Sequence, residues 1–313
     1  MAVQPLVYIL LLNYRGIPQT FACLDSLRAL EYSNHRIIVI DNASPDDSLA
    51  QLHARLQANP DEFRLIESES NLGFSGGNNL AIKAVLDETS QDSDAYIWLL
   101  NNDTTVAPDA LTPLVNEAQK TGGIAGSLLL YPDGTYQQVG TRMNWWNGGS
   151  KGYPESAVRD GMRVETLSGA SMLIPLKAVR QAGLWDESFF LYFEDGEASL
   201  RYAQAGFPLT VSTKSRVFHE ESATTGSKSL STQYYYHRNR LRMLMMFANP
   251  LQKLTILAYA MFRWGRSIVK SQGGKNLEQK AERRVSAKVH GVAMKDFLRG
   301  VSGPCPHNLE KLR

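Results

Sequence analysis

The chain has 313 residues, 43% of them hydrophobic and 20% charged, enough apolar material for a large α/β core and too much for a disordered or fibrous protein. Its formal charge of +2 conceals an asymmetry: residues 1–237 hold 17 Lys/Arg against 27 Asp/Glu, and residues 238–313 hold 16 against 4. With only two cysteines, Cys23 and Cys305, a disulfide scaffold and a cysteine metal cluster are excluded.

Residues 7–12 predict an apolar strand, and 17–30 an amphipathic helix with Pro18 in its first turn. A second strand over 36–40 ends in Asp41-Asn42-Ala43-Ser44-Pro45. A helix over 48–56, a short strand over 63–66, a helix over 78–86, a strand over 95–100 and a helix over 108–118 continue the alternation. This order implies a mostly parallel sheet with right-handed crossovers. From 122 to 175 the glycines, Tyr131-Pro132-Asp133-Gly134 and Trp145-Trp146 predict turns and irregular strands. Helices return at 176–182 and 197–205, with a strand at 209–212 between them and the tail. From 232 onward the pattern is helical, broken at Asn249-Pro250 and at Gly273-Gly274.

Ligands of open α/β sheets bind outside the carboxyl ends of the strands, and the polar segments of this chain lie there. Asn101-Asn102-Asp103 ends the strand at 95–100 and delivers one carboxylate, suited to a metal-bridged diphosphate or to capping a turn. Asn13-Tyr14-Arg15 follows the first strand, as a ligand contact or a polar turn. Asp41 can accept from a nucleobase imide or a ribose hydroxyl, or form an Asx turn before Pro45. Gly73, Gly76 and Gly77 lead into a helix beside Asn78 and Asn79, a weak phosphate-cradle signal without the dinucleotide spacing. Glu194-Asp195 follows an aromatic run from Phe189; one acid can cap the next helix and leave the other as a base with a raised pKa. His219 is a metal candidate only beside an ion already held by Asp103.

Taken in order, these segments resemble the inverting glycosyltransferases of family 2, especially the bacterial rhamnosyltransferase-like branch, over about residues 6–245. The segments are Asn13-Tyr14, Asp41 to Ser44, Asn71 to Asn79, Asn101-Asn102-Asp103, Ser168-Gly169-Ala170, Gly183 to Glu187, Glu194-Asp195 and His219. The resemblance implies a GT-A fold, a Rossmann-like mostly parallel sheet flanked by helices, with a helical C-terminal extension. Residues 1–230 would be catalytic, with a nucleotide-binding half at about 1–120 and an acceptor-binding half at about 121–230. Asn13, Tyr14, Arg15, Asp41, Asn42, Gly73, Asn78, Asn102 and Asp103 would line the nucleotide. Asp103 and His219 would hold Mg²⁺ or Mn²⁺. Asp195 would be the general base with Glu194 as its neighbour. Gly169, Ala170, Trp185 and Asp186 would face the donor sugar or acceptor. Asn101 stands where the family's Asp-x-Asp has its first acid, so metal binding would lean on the donor diphosphate. Glu197 and Ala198 also depart from the usual pattern, which bears on local acceptor contacts.

The expected reaction moves a sugar, rhamnose favoured, from a dTDP- or UDP-type donor onto a hydroxyl of a lipid-linked glycan. The basic region 231–313 mixes cations with aromatic and Met residues and could lie on an anionic membrane surface. No base-reading fold accompanies it, so nucleic acid is not expected as a partner. No apolar run reaches the roughly 20 residues of a bilayer span, and no cationic segment precedes the first strand. A cytoplasmic protein, peripheral on the inner face of the plasma membrane, is therefore expected. Two rivals are a sugar nucleotidyltransferase, for which Asn13-Tyr14-Arg15-Gly16 is a poor match, and a non-catalytic glycan-binding or scaffold module, which would not need Asp195.

Overall fold

The computed structural model describes residues 4–220, 229–274 and 276–313. Eleven strands are described: β1 Val7–Asn13, β2 His35–Asp41, β3 Arg64–Glu67, β4 Tyr96–Asn101, β5 Thr104–Val106, β6 Ile124–Leu130, β7 Tyr136–Gln138, β8 Thr141–Asn144, β9 Gly149–Gly152, β10 Ser171–Pro175 and β11 Leu209–His219. The helices are α1 Ile17–Leu27, α2 Ser48–Ala58, α3 Gly73–Glu88, α4 Leu111–Thr121, α5 Leu176–Ala182, α6 Glu194–Gln204, α7 Leu230–Phe247, α8 Pro250–Ser271 and α9 Leu277–Leu298.

Two compact units are present: the first takes residues 1–142, 152–186 and 195–224, the second 143–151, 187–194 and 225–313. The main sheet of the first unit runs β3-β2-β1-β4-β10-β6-β11-β5. Its first four strands are parallel, whereas β10 is antiparallel to β4 and β6, and β5 is antiparallel to β11. The sheet is therefore mixed beyond β4. The central strands β1, β2 and β4 are buried on both sides, as a sheet covered by helices requires. In β1, Val7, Ile9 and Leu11 face the core shared with Leu24 and Leu27 of α1 and Leu111 and Leu114 of α4. Tyr8 and Leu10 face the opposite core, with Ile82 and Val85 of α3 and Tyr202 of α6.

Several sequence expectations are corrected here. The irregular stretch at 122–175 contains β6 and β10, two strands of the main sheet. Their glycines do not break them because Gly126 is where Leu167 crosses the strand: a Cβ there would lie 2.4 Å from Leu167 Cδ2. The glycines before residue 78 are the opening turns of α3 rather than a loop. Helix α4 starts at Leu111, beyond Pro108, and β11 continues from 212 to His219 through a register shift between Ser212 and Arg216.

In the second unit, Asn249 closes a capping box with Gln252 at the start of α8, where the sequence break was expected. Asn239 of α7 donates its amide towards the carbonyls of Phe189 (2.6 Å), Leu191 (2.7 Å) and Tyr192 (3.1 Å). Those bonds hold a turn in which Phe190, Tyr192 and Phe193 all have φ between 64° and 71°. Such left-handed non-glycine residues cost about 1–3 kcal/mol each, so the turn persists only because α7 overdetermines it. No described helix is long and apolar enough to cross a membrane.

Candidate active site

Strand order alone builds a crevice. The connection from β1 leads to β2 on one side, while β4 pairs on the other side of β1, so β1 and β4 flank a topological switch point. The register sets Asn13 beside Asp41 and Leu12 beside Asn101, which brings the polar ends of three strands together.

A buried hydrogen-bond chain joins these ends. Asn13 Nδ2 donates to Asp41 Oδ1 (2.9 Å) and Ser44 Oγ (3.2 Å), while Thr20 Oγ1 lies 2.9 Å from Asn13 Oδ1. Asn102 Nδ2 donates to the same Thr20 oxygen at 2.9 Å. Asp41 Oδ2 accepts from the Ser44 amide at 3.0 Å, so both carboxylate oxygens have internal donors. The Asx-type turn and a ligand role are compatible, since each oxygen keeps a second lone pair. Thr20, one helical turn into α1, is a member that no strand-end motif signals. Tyr14 is partly buried, and Arg15 is exposed with φ 58° and its guanidinium 5.5 Å from the Tyr14 ring centroid.

Asn42 and Asn71 cap the start of α3. Asn42 Oδ1 accepts the Leu72 amide and Asn71 Oδ1 accepts the Gly73 amide, so side chains already satisfy two N–H groups of the helix start. Gly73 supplies φ 72° for the turn. Gly77 lets α3 approach β1, because a Cβ there would sit 2.5 Å from Leu12 Cδ1 and 3.3 Å from Asn42 Cγ. Asn78 Nδ2 bonds back to the Phe74 carbonyl at 2.9 Å, and Asn79 pairs with both backbone groups of Trp185. Trp185 is 2% exposed against Phe74, placing it in the core.

Asp195 reaches the crevice through β10. The Asn101 amide bonds the Ala170 carbonyl at 3.1 Å, and the neighbouring Gly169 amide donates to Asp195 Oδ2, also at 3.1 Å. Gly169 leaves little room for more: a Cβ would meet Phe74 Cζ at 3.3 Å and Asp195 Cβ at 3.4 Å. Asp195 Oδ1 accepts from Gly196 at 2.7 Å in the first turn of α6. Burial raises the Asp195 pKa against the lowering effect of these two amides. Glu194 is the buried first residue of α6, and Asp186 is partly exposed just beyond Trp185.

His219 is brought in by a pairing the sequence does not display. Antiparallel β5 and β11 place His219 opposite Thr104, and the Glu220 amide bonds the Asp103 carbonyl at 3.0 Å. His219 Nε2 lies 3.4 Å from Asp103 Oδ1, a buried oxygen with no hydrogen-bond partner among the described residues. Gln137 explains the orientation. Its amide nitrogen donates to the His219 carbonyl (3.4 Å), so its Oε1 faces Nδ1 at 2.9 Å and requires the ring proton there. In a neutral ring Nε2 then points a lone pair at Asp103 Oδ1. One carboxylate oxygen beside one imidazole nitrogen is a donor pair that suits a divalent ion. Among the described residues no group of three or more His, Cys, Asp or Glu could hold a metal alone. Such an ion would need oxygens from a phosphate ligand and water to complete its shell.

Cys23 of α1 packs against these strands, its sulfur 3.8 Å from Thr104 Oγ1. Burial pushes the thiol up to about 12, so it packs rather than reacts.

A mixed sheet with its polar strand ends gathered at one switch point, flanked by helices, defines a GT-A fold. Solved structures share it. GalNAc-T7 with UDP, GalNAc and Mn²⁺ aligns with TM-score 0.66 at 16% identity, over 96% of this chain and 57% of its own. The Pyrobaculum calidifontis mannosyltransferase PcManGT, in complex with GDP-Man and Mn²⁺, aligns with TM-score 0.60 at 12% identity, over 95% of this chain and 88% of its own. Residues 11–174 match the family described as glycosyl transferase family 2, and residues 96–271 match glycosyl transferase family group 2. The chain belongs to glycosyl transferase family 2. An N-acetylglucosaminyl-diphospho-decaprenol L-rhamnosyltransferase of Mycobacterium tuberculosis is 26% identical over 226 residues, 65% of this chain and 72% of the relative. A low-salt glycan biosynthesis hexosyltransferase of Haloferax volcanii is 24% identical over 82% of each chain. By contrast, the chain spans only 22% of the length of an uncharacterized Sinorhizobium fredii protein that it matches at 26% identity.

Proposed function

We propose that this chain is an inverting glycosyltransferase that moves a sugar from a nucleoside-diphosphate donor to a hydroxyl of a lipid-linked glycan, rhamnose being the favoured sugar. The observation that carries the reading is the pair of carboxylates at the end of β4: Asp103, its buried Oδ1 opposed to His219, and Asp195, tied to the same strand end through Gly169 and Ala170. Relatives named for rhamnosyl and hexosyl transfer support the class of reaction. The rhamnosyl donor and the lipid diphosphate acceptor are carried over from the name of the first of these.

Asp103 and His219 would hold a Mg²⁺ or Mn²⁺ ion. When bound, that ion supplies positive charge for the nucleoside diphosphate as it leaves. The Asn13–Asp41–Ser44 group would receive the base or ribose, and Thr20 and Asn102 keep that group in register with Asp103. Asp195 would take the proton from the acceptor hydroxyl as its oxygen attacks the anomeric carbon. The C–O bond to the acceptor forms as the C–O bond to the diphosphate breaks, opposite-face attack inverts the centre, and no enzyme nucleophile is needed. The peripheral membrane location is retained as part of the proposal because a lipid-linked acceptor requires it.

A binding and turnover series with dTDP-, UDP- and GDP-sugars, each with Mg²⁺ or Mn²⁺, tests the reading. At least one donor should bind in a metal-dependent way and be hydrolysed or transferred with inversion. Binding of none, or retention at the anomeric centre, would refute it.

Gln137 has its own expected outcome. Gln137→Leu should weaken Mn²⁺ binding in the presence of UDP by about 10–100-fold, the usual effect of losing the group that orients a ligating histidine. Gln137→Glu, which still accepts from Nδ1, should restore most of it. Electron paramagnetic resonance titration of Mn²⁺ reads this without catalysis, and an unchanged affinity in the Leu variant refutes the role.

A further inference from the structure

The second unit buries an arginine that no described residue neutralises. Arg238 of α7 shows how a buried arginine is normally kept: its guanidinium donates to Asn239 Oδ1, the Tyr234 hydroxyl and the carbonyls of Phe189 and Gly303. Arg240, two residues on, is just as buried at 2% exposed. Yet among the described residues it makes neither a hydrogen bond nor an ion pair, and its Nε is buried without a partner. The Tyr236 ring lies 5.9 Å from the guanidinium carbon.

Around Arg240 stand two imidazoles and a second arginine. His237 of α7 and His290 of α9 stack at 3.8 Å with their planes 10° apart, and His237 Nδ1 is also buried without a partner. Arg263 comes from α8. Burial first, then Arg263, lowers the Arg240 pKa; burial and the charges of Arg240 and Arg263 bring His237 down to about 3 and His290 to about 4. A buried arginine without hydrogen bonds, with a second guanidinium acting on it, is costly unless an anion joins it.

We propose that Arg240, Arg263, His237 and His290 form an oxyanion site between α7, α8 and α9 that takes a phosphate or diphosphate group. A guanidinium fork, a second arginine and two imidazoles offer more donors than a carboxylate can accept, and they match the several oxygens and double charge of a phosphate. The site is independent of the transferase reading, since none of its residues belongs to the carboxylate crevice. Helix α8, which carries Arg263, also leaves Leu254, Met261, Phe262, Ile268 and Val269 exposed. Cations beside apolar ground suit the phosphate of a lipid headgroup as well as a free phosphate, and the two sources are separable.

The test uses the full chain, Arg240→Met and Arg263→Gln. Thermal unfolding is followed in sodium phosphate, sodium pyrophosphate and sodium chloride of matched ionic strength. Sedimentation is followed with phosphatidylcholine vesicles, with and without phosphatidic acid. Pyrophosphate or phosphate should raise the wild-type Tm above the chloride control and leave both variants unmoved. Without anion, Arg240→Met should melt no lower than wild type, because it removes an unpaired buried charge. If the source is lipid, phosphatidic acid vesicles retain wild type at least about tenfold better than either variant; if it is free phosphate, vesicles retain all three alike while the Tm shifts persist. Equal anion shifts in all three proteins, or no shift in any together with equal vesicle binding, overturn the site. Should Arg240→Met fail to fold, the partly exposed Arg263→Gln carries the same comparison.

Discussion

Replacing Asp195 by Asn is expected to cut sugar transfer by about 10²–10⁴-fold while nucleotide binding stays near the wild-type value, the span a positioned general base contributes. The carboxylate sits where two backbone amides hold it and where burial raises its pKa. Because the base must be ionised, the acid limb of the wild-type kcat/KM profile should lie above the ordinary carboxylate value of about 3.9. Stability has a definite sign as well. A folded-state pKa raised above the unfolded value contributes stability that is fully present below about 3.9 and is lost as pH rises through the folded value. The Tm of wild type relative to Asp195→Asn should therefore fall between acid and neutral pH. An acid limb at the ordinary carboxylate position, or a Tm difference that rises with pH, would show that Asp195 is neither perturbed nor the base.

Asp103→Asn should be the second severe loss, and an unusual one, because function and stability move apart. With Gln137 accepting from Nδ1, a neutral His219 ring presents Nε2 as a second acceptor 3.4 Å from Asp103 Oδ1. An amide nitrogen at position 103 can donate to Nε2 and relieve it. In the absence of metal the variant should be as stable as wild type or more stable by about 1 kcal/mol, the worth of one net hydrogen bond. Metal-dependent UDP binding, read by calorimetry with and without Mn²⁺, should fall by at least about 100-fold, because one of two protein ligands is gone. His219→Ala should lose a comparable part of the metal effect. Nucleotide affinity in the Asp103 variant that still rises with Mn²⁺ as in wild type would place the ion elsewhere.

The two experiments bear on different parts of the crevice. Asp195 depends on β10 and the Gly169 amide, whereas Asp103 depends on β4, β5 and β11. The Asp195 variant should keep metal-dependent nucleotide binding, and the Asp103 variant should lose it along with transfer.

Much of the first unit was legible in the chain itself. Apolar strands β1, β2 and β4 stand out because both their faces are buried, and each ends in residues that cannot continue a core: Asn13, Asp41 and Asn101-Asn102-Asp103. Local patterning carries that information, because burial period and strand ends are properties of neighbouring residues. The glycines at 73–77 were legible as a special feature, but their place in the opening turns of α3 was not. Composition alone does not tell a phosphate loop from a helix start whose amides are taken by Asn42 and Asn71. Residues 122–175 read as turns and irregular strands; that β6 and β10 join the main sheet depends on contacts from afar, where Leu167 packs on Gly126 and Trp98 bonds Ser171.

The sequence by itself determined the alternation of elements, the polar strand ends, the acidic body with its basic tail, and the two carboxylates on which the proposed chemistry rests. Only the tertiary structure decided which of those ends meet. His219 reaches Asp103 because β11 runs on to pair with the three residues of β5, and Gln137 of β7 meets the other side of the ring. Left-handed backbone at Phe190, Tyr192 and Phe193 is held by Asn239 far along the chain, and Arg240 differs from Arg238 only in what surrounds it. The physical reason is the same in each case. A residue type states what it can donate or accept, but whether it finds a partner depends on strand pairing and helix packing between segments distant in sequence, and no local pattern records that choice.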